Sequence, residues 1–468
     1  MTIHAVPAAA PTLDMPAELA INAWAGAAVH GPVDANAASW GVQPGMPHSQ
    51  QAMTIDDVPD DTKWSDVNVG YGILLLDDDK VAPAVKAAGG DAPAPIQQLL
   101  AARPGTVVLR WSKALNPRVL RRYFADGTSQ DPAIGLSRFG TDKGRLPRYI
   151  LIAARPDQIP WQVQYTLAVR HAVGRLPMDP GAAGPYVSAL IDTWKDTPAQ
   201  RTAPLIWSVD QGDITSLMRT AVAGPLASAL IDPRTPGTVD LNAAAATGTA
   251  LLTALRDQKP GLLVTSSHGQ TSPLDNSTTM AAGLGLPVDA EHNTVPLGDF
   301  SAAVPAGAIW YANACCSAGS DATSRFAKLL AEGGDARRVL EAVAALGSTT
   351  APAPAALLSR PAPVRAVIGH VEPTFDWTLR VAETGQALGH DLVAAFSAQL
   401  YAGRPIGLAL GAYWSGVGQL HSQWADARDE LAPGDVEAQS TLVRLQLTAR
   451  DRQSLVLLGD PTVTLAPA

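Results

Sequence analysis

Two short stretches, "PGLLVTSSHG" (260–269) and "GAIWYANACCSAGSD" (307–321), share one pattern. Each starts as an apolar run and ends in small or polar residues with a glycine, which is typical of a buried strand followed by a tight turn. The first run ends at His268, and the second ends just before Cys315 and Cys316. Parallel strands joined by crossovers finish at the same edge of a sheet. We therefore expect the imidazole and a thiol to meet at one sheet edge.

These are the only two cysteines among 468 residues. Adjacent residues rarely reach the Cα separation of a disulfide, and two cysteines cannot build a disulfide framework, so a reducing, cytoplasmic location is expected. The net charge of −9 argues against a nucleic-acid partner. No secretory signal and no 18-residue apolar run is present, so we expect no membrane partner.

Apolar strands alternate with helix-like segments along most of the chain. The other predicted strands are "VNVGYGILLLDDD" (67–79), "GTVVLRW" (105–111), "RYILIAA" (148–154), "APLIWSVD" (203–210), "PVRAVIGHV" (363–371) and "QSLVLLGDP" (453–461). The predicted helices include 92–103, 161–173, 240–258 and 323–331, and a polar loop of some 35 residues is expected after residue 269. This alternation predicts an α/β protein with a mostly parallel sheet flanked by helices.

The pairing of a thiol with an imidazole suggests nucleophilic chemistry. A cysteine needs help to become a thiolate near neutral pH, and a nearby histidine supplies that help. Attack on a carbonyl also needs donors for the developing oxyanion, and the N–H groups of Gly269 and of the nucleophile could provide them. Scattered histidines and two adjacent cysteines do not form a metal site, and the chemistry requires no cofactor.

Several segments resemble the caspase–hemoglobinase superfamily, which includes caspases, legumains, gingipains, separases and bacterial CHAT domains. "LLVTSSHG" and "YANACCSAGS" are similar to its His-Gly and Ala-Cys-x-x-Gly elements. "RYILIAARPDQIPWQVQYTLAVRHAVGRLP" (148–177) resembles the first-subdomain segment of gingipain-type and CHAT-type peptidases. "FSAQLYAGRPIGLALGAY" (396–413) resembles a CHAT helix, and "LVLLGDPTVTL" (455–465) the terminal Leu-Gly-Asp-Pro strand. The resemblance covers roughly residues 145–468.

The resemblance implies a caspase-like fold and a cysteine endopeptidase acting through a thioester. Residues 1–60 are rich in Ala, Pro, Asn and Gly and show little periodicity, so we expect an N-terminal arm there that is poorly ordered or lies over the body. We expect an α/β supporting subdomain at 61–200 and a caspase-like catalytic subdomain at 201–468. The Cys-x-x-Gly register favours Cys316 as the nucleophile, with His268 as its base. Cys315 would then be a small buried residue, although the doubled cysteine leaves it as an alternative nucleophile.

The superfamily's pocket for the residue before the scissile bond uses a group that lies some way before the catalytic histidine. The matching stretch here is "IWSVDQGD", with Asp210 and Asp213, and an acid there would favour Arg or Lys. The alternative is that both aspartates only cap the helix that follows. Glu372 and Asp376, after the "AVIGH" strand, are competing acids at the same edge. His370 is expected to be structural or to line the substrate, and Asp460 is expected to form a turn.

Two other functions remain open. One is a catalytically silent scaffold that keeps the fold and binds peptides or proteins, and the other is acyl transfer or hydrolysis on a non-peptide ester or thioester. The expected partners are a protein or peptide substrate and, since an intracellular protease must be restrained, a regulatory protein.

Overall fold

One ten-stranded sheet organises the computed structural model, which describes residues 16–37, 40, 59–381, 384–432 and 434–467. Within these residues the strands are β1 (Glu18–Trp24), β2 (Ala28–Pro32), β3 (Tyr71–Leu76), β4 (Val107–Trp111), β5 (Arg122–Tyr123), β6 (Ser129–Gln130), β7 (Tyr149–Ala153), β8 (Ala172–Leu176), β9 (Leu205–Ser208), β10 (Val239–Asn242), β11 (Leu262–Ser266), β12 (Gly269–Gln270), β13 (Ile309–Asn313), β14 (Gly319–Ser320), β15 (Thr349–Thr350), β16 (Ala366–His370) and β17 (Leu455–Gly459).

Helices cover the sheet. The α-helices are α1 (Pro83–Ala88), α2 (Ala94–Ala102), α3 (Trp161–Ala168), α4 (Gly184–Ile191), α5 (Ile214–Met218), α6 (Gly224–Ala229), α7 (Gly248–Gln258), α8 (Ser277–Gly283), α9 (Leu297–Ala303), α10 (Asp335–Ala344), α11 (Pro352–Ser359), α12 (His390–Ala394), α13 (Ile406–Ala409), α14 (Gly411–Asp429) and α15 (Val436–Gln453). A π-helical turn, Arg219–Ala223, joins α5 to α6, and another, Ala395–Gln399, extends α12. In the part of the chain that the structure describes, no helix is long and apolar enough to cross a bilayer.

The strand order is β10-β9-β11-β13-β16-β17-β8-β7-β3-β4. The first five strands are parallel to one another, and so are the last five. The two halves run in opposite directions and meet where β16 pairs antiparallel with β17. The inner strands are buried along their whole length, which explains their continuous apolar runs, since helices cover both faces of a parallel sheet. The expectation of a mostly parallel α/β sheet flanked by helices is confirmed.

The two halves of the sheet come from different parts of the chain. Residues 71–176 supply β3, β4, β7 and β8, and residues 205–459 supply the other six strands. β17 pairs with β8 as well as with β16, so both halves share one hydrophobic core. Part of the predicted N-terminal arm, residues 16–37, forms the β1–β2 hairpin and lies over the body. Residues 1–15, 38–39 and 41–58 of that arm lie outside the described residues.

A buried ion pair ties the end of β17 to the other half of the sheet. Asp460 is fully buried, and its carboxylate accepts hydrogen bonds from the Tyr71 hydroxyl at 2.5 Å and from the Arg103 guanidinium at 3.3 Å. It also accepts from the Thr462 amide at 2.9 Å, which is the turn that the sequence predicts. Arg103 stacks on the Tyr71 ring with its guanidinium 4.4 Å from the ring centroid. Asp460 therefore forms a turn and also neutralises a buried cation.

The predicted helix at 240–258 is wrong in its first half. Residues 239–242 form β10, which pairs with β9, and α7 starts only at Gly248 with Thr247 as its N-cap. Asp240 therefore caps nothing. Pairing with β9 fixes residues 239–242, and the alanines that follow form only a short 3₁₀ turn, Ala243–Ala245, before α7 begins.

The predicted helix at 161–173 also ends early. Helix α3 stops at Ala168, and residues 172–176 form β8, which pairs with β7 and β17. The sequence "AVGRL" contains a glycine and an arginine and therefore does not look like a buried strand. The Gly174 position has no room for a side chain, because a Cβ there would lie 2.0 Å from the Gly459 carbonyl oxygen.

Three more helical segments differ from the predictions. The polar loop after residue 269 contains α8 and α9, and α15 was not predicted. The helix predicted at 323–331 is only a short 3₁₀ turn, Ala327–Leu329, and the real helix, α10, follows it. At 329–331 the backbone instead bonds to the arm: the Asp34 amide donates to the Leu329 carbonyl, and the Ala331 amide donates to the Pro32 carbonyl. These long-range bonds replace the helical ones.

We expect Asp460→Asn to lower the free energy of unfolding by about 3–5 kcal/mol, because it leaves the buried Arg103 cation without its counterion. Urea unfolding followed by circular dichroism would measure the change. Asp142→Asn is the matched control, since the Asp142 side chain is 63% exposed in its contact with Arg145, and we expect a change below about 0.5 kcal/mol there. Equal losses in the two variants would contradict this account.

Candidate active site

The structure brings His268, Gly269 and both cysteines to the same edge of the sheet. Strands β11 and β13 are adjacent and parallel, with Ser266 opposite Asn313. The histidine and the first cysteine each follow their strand by the same two residues. The Cys315 thiol donates to the Gly269 carbonyl oxygen at 3.3 Å, which joins the two turns directly.

His268 is fully buried and held by one partner. Its Nε2 lies 2.7 Å from Oδ2 of Asp213, the N-cap residue of α5. Its Nδ1 is also buried and has no hydrogen-bond partner within the described residues. The imidazole is therefore oriented through one nitrogen and leaves the other available for proton transfer.

The Asp213 carboxylate is well placed to remain ionised. Burial disfavours its charge, but hydrogen bonds from His268 and from the Thr215 amide and hydroxyl outweigh burial, so the pKa of Asp213 lies well below its usual value. The sequence suggested Asp213 as a pocket acid or as a helix cap. The structure makes it a helix cap and, in addition, the residue that orients His268, a role that was not predicted.

Both cysteines are buried and free. Cys316 has a φ of +53°, a left-handed conformation that non-glycine residues seldom adopt. Burial raises the pKa of the Cys316 thiol well above its usual value, and the neighbouring Cys315 and Glu372 raise it further. In this arrangement the thiol is protonated at neutral pH and is not yet nucleophilic.

The two predicted oxyanion donors differ in their contacts. The Cys316 amide donates to the Glu372 carbonyl oxygen at 3.3 Å, so it is occupied in this structure. Gly269 lies where a side chain cannot fit, since a Cβ there would be 2.0 Å from the Cys315 carbonyl oxygen. The glycine is therefore required by packing against the cysteine turn, in addition to any approach of substrate.

The four acids proposed for a substrate pocket each have their own partners. Asp210 lies 3.5 Å from the Arg219 guanidinium and bonds the Ser216 hydroxyl, so it sits at the start of α5 near Asp213. Glu372 and Asp376 follow β16, and the short 3₁₀ turn that begins at Asp376 lies against α5.

Of these last two acids, Glu372 is buried and Asp376 is partly buried. The Glu372 carboxyl is buried and accepts from the Arg325 amide at 3.3 Å, and burial raises the pKa of Glu372 to about 7. Asp376 accepts from the amides of Trp377 and Ala20, and burial raises its pKa. His370 bonds the Ser454 hydroxyl at 3.1 Å, and burial lowers the pKa of His370 to about 3, which suits a structural, neutral histidine.

The sequence analysis missed the contribution of strand β1 to this site. The Trp24 ring lies 5.5 Å from the His268 ring and 4.6 Å from that of His292. Asn22 is fully buried, and neither atom of its side-chain amide has a partner, which normally costs about 1–3 kcal/mol. The alternation in "ELAINAW" was the available signal, because Leu19, Ile21 and Ala23 share one apolar face.

No protein-family model matches this chain, and no curated protein is significantly similar to it. Among the described residues, no group of three or more His, Cys, Asp or Glu side chains is placed to hold a metal ion. The assignment of the site therefore depends on its own geometry and on the sequence resemblance.

The pH dependence of stability should report on Glu372. The pKa of Glu372 rises from 4.5 to about 7 on folding. The folded state therefore holds the proton more tightly, and this contribution to the free energy of unfolding is complete below pH 4.5 and is lost as the pH rises through 7. Glu372→Gln removes this loss. Between pH 4.5 and pH 8 we expect the free energy of unfolding of the variant to increase, relative to that of the wild type, by on the order of 3 kcal/mol.

Urea unfolding of wild type and variant at both pH values would measure this difference. Glu341→Gln is the control, because the Glu341 side chain is 54% exposed. A Glu372→Gln difference that does not change with pH would show that the carboxyl is not buried as described.

Proposed function

We propose that this chain is a cysteine endopeptidase of the caspase–hemoglobinase type, with Cys316 as nucleophile and His268 as base. The observation that carries the proposal is the buried imidazole at the same sheet edge as two free thiols, with Nε2 held by Asp213 and Nδ1 unpartnered. Imidazole, thiol and an orienting carboxylate are the parts of an activated nucleophile.

The order of the motifs on the sheet supports the resemblance. The His-Gly element follows β11, the cysteines follow the neighbouring β13, and the Leu-Gly-Asp-Pro element ends β17. The 148–177 segment supplies β7, α3 and β8, and β8 pairs with β17. These four motifs therefore lie on or beside strands that border the proposed site or join the halves of the sheet.

In the proposed reaction, Nδ1 of His268 accepts the thiol proton and the Cys316 sulfur attacks the substrate carbonyl carbon. Asp213 holds the ring through Nε2 and stabilises the imidazolium. The Gly269 amide can donate to the oxyanion, and the Cys316 amide can join it once it leaves the Glu372 carbonyl. The imidazolium then protonates the leaving amine, and water hydrolyses the thioester.

Cys316 is the preferred nucleophile for two reasons beyond its register. The Cys315 thiol is engaged with the Gly269 carbonyl. Cys316 has the strained backbone at the exit of β13, and strained conformations concentrate at functional sites. Cys315 remains the alternative that the experiment below separates.

The proposed preference for Arg or Lys before the cleaved bond now depends mainly on Asp210. Asp213 is already used by His268, and Glu372 is buried. The Asp210 side chain is 30% exposed, and its cation partner Arg219 could be displaced by a basic substrate.

The free thiols fit a reducing compartment, so we propose an intracellular protein as the substrate.

A silent scaffold is the second candidate, and one observation favours it. Both thiols are fully buried, and the pKa of Cys316 is raised by that burial. A chain that never exposes Cys316 would keep the fold and bind partners without hydrolysing them.

Peptidyl acyloxymethyl ketones, detected by mass spectrometry under reducing conditions, would test the proposal. We expect the wild type to form an adduct on Cys316. If the wild type does not react, we expect the adduct in Trp24→Ala, which removes the indole that lies against the His268 ring. Cys315→Ala should still react, and Cys316→Ala should not. The reverse pattern would assign the nucleophile to Cys315, and no adduct in any variant would favour the scaffold.

Asp213→Asn should slow this labelling by roughly 100-fold or more, because the amide no longer stabilises the imidazolium. Pseudo-first-order labelling rates would measure it, with the Trp24→Ala background used if the wild type reacts slowly. Asp210→Asn is the matched control on the same turn and should leave the rate unchanged for a probe without a basic residue. Equal rates in Asp213→Asn and its parent would remove Asp213 from the proposed mechanism.

A further inference from the structure

A cleft that shares no residue with the candidate active site contains two arginines without an acidic partner. The cleft has a volume of about 240 Å³. Arg148 directly precedes β7, Arg170 lies two residues before β8, and both line the cleft. Neither arginine forms an ion pair with an acid among the residues that the structure describes.

The two guanidiniums use few of their hydrogen-bond donors. Nη1 of Arg148 donates to the Arg170 carbonyl oxygen, and Nη1 of Arg170 donates to the Gly135 carbonyl oxygen. No other hydrogen bond joins either guanidinium to the described part of the chain. Because a guanidinium carries five N–H donors in a rigid fork, most of the donors on both side chains remain free for a ligand.

The positive charges are close together and partly shielded from water. The guanidiniums of Arg148 and Arg170 lie 4.8 Å and 4.7 Å from the centroid of the same Phe139 ring. The ring attracts each cation but does not neutralise it. Burial lowers the pKa of both arginines, and the charge of Arg170 lowers that of Arg148 further.

Within the described residues, no free acid compensates these two cations. Asp61 acts on Arg148 from a distance, but its carboxylate is paired with Arg404 at 3.0 Å. His171, which also lines the cleft, is neutral, because burial lowers its pKa to about 3. The whole chain has a net charge of −9, so this doubly positive cleft is a local feature and not part of a generally basic surface.

Helix α14 lines the same cleft with Gly411 and Ser415. A Cβ at Gly411 would meet no atom within 4 Å, so the space beside this residue is open. The Ser415 hydroxyl makes no hydrogen bond within the described chain and can donate to a ligand. The cleft is smaller than the roughly 300–1,000 Å³ of pockets for drug-sized molecules, so its ligand is small.

We propose that this cleft binds a small phosphate-bearing anion between the guanidiniums of Arg148 and Arg170. A phosphate monoester carries a charge of about −1.5 to −2 at pH 7, which matches two cations, whereas a carboxylate would neutralise only one. The fork of arginine donors also fits phosphate oxygens. The ligand therefore supplies the counterion that the described residues do not provide.

Isothermal titration calorimetry of the full chain, in phosphate-free buffer at constant ionic strength, would test this proposal. We expect saturable binding of phenyl phosphate or inorganic phosphate with a dissociation constant below about 1 mM. Benzoate, a monoanion with the same ring, should bind at least roughly 10-fold more weakly than phenyl phosphate. Tighter binding of phenyl phosphate would identify a phosphomonoester as the ligand class, and tighter binding of inorganic phosphate would identify the free ion.

Arg148→Gln and Arg170→Gln should each weaken phosphate binding by roughly 10- to 100-fold, because each removes charge-assisted hydrogen bonds. Arg122→Gln is the matched control. The Arg122 guanidinium also lies over a phenylalanine, 5.1 Å from the Phe124 ring centroid, and donates to the Thr141 carbonyl oxygen at 2.7 Å. It does not line this cleft, so phosphate binding should be unchanged.

Gly411→Glu tests the site without removing either arginine, and circular dichroism would show which variants fold. The new carboxylate enters the open space, and we expect it to weaken phosphate binding by at least roughly 10-fold. Gly411→Gln, its neutral counterpart, should weaken binding less.

Three results would overturn the proposal. The first is the absence of saturable phosphate binding by the wild type up to about 10 mM. The second is equal affinity in the wild type and in whichever of the Arg148, Arg170 and Gly411→Glu variants fold. The third is binding of benzoate as tight as that of phenyl phosphate, which would show that the cleft does not select a doubly charged anion.

Discussion

Strand β17 joins the two halves of the sheet by pairing with a strand of each half. Five residues of this strand pair antiparallel with β16, and Leu458 pairs in parallel with Arg175 of β8. Without β17 the two parallel half-sheets would no longer be joined into one sheet. Asp460, at the end of the same strand, neutralises Arg103 from the other half. The strand and its buried ion pair therefore hold the frame in which β11 and β13 present their turns.

The sequence predicted the central strands well, because their apolar runs are continuous and their ends are marked by Gly or Asp. It failed where long-range contacts overrode local preference. The alanine-rich 240–258 segment looks helical, yet its first residues pair with β9. "AVGRL" overlaps the predicted 161–173 helix and contains a glycine and an arginine, yet it is the strand next to β17. Neither contact can be read from a window of neighbouring residues.

In the candidate site too, local sequence patterns predicted some features, while long-range contacts determined others. The convergence of His268 with the cysteines followed from the rule that parallel strands end at one edge, and the structure places them there. The contact between His268 and Asp213 could not be predicted, because it depends on where α5 begins relative to the end of β11. The participation of β1 was also hidden, since its short alternating pattern lies within an Ala- and Pro-rich segment.

The position of β17 has a consequence for biosynthesis. It is the last of the ten strands in chain order, yet it occupies the middle of the sheet. While the chain is being made, β16 and β8 each present an unpaired edge until residues 455–459 are available. Such edges are templates for wrong strand pairing. The nascent chain therefore carries two half-sheets with exposed edge strands until β17 is inserted. Chaperone binding during that interval would favour correct assembly.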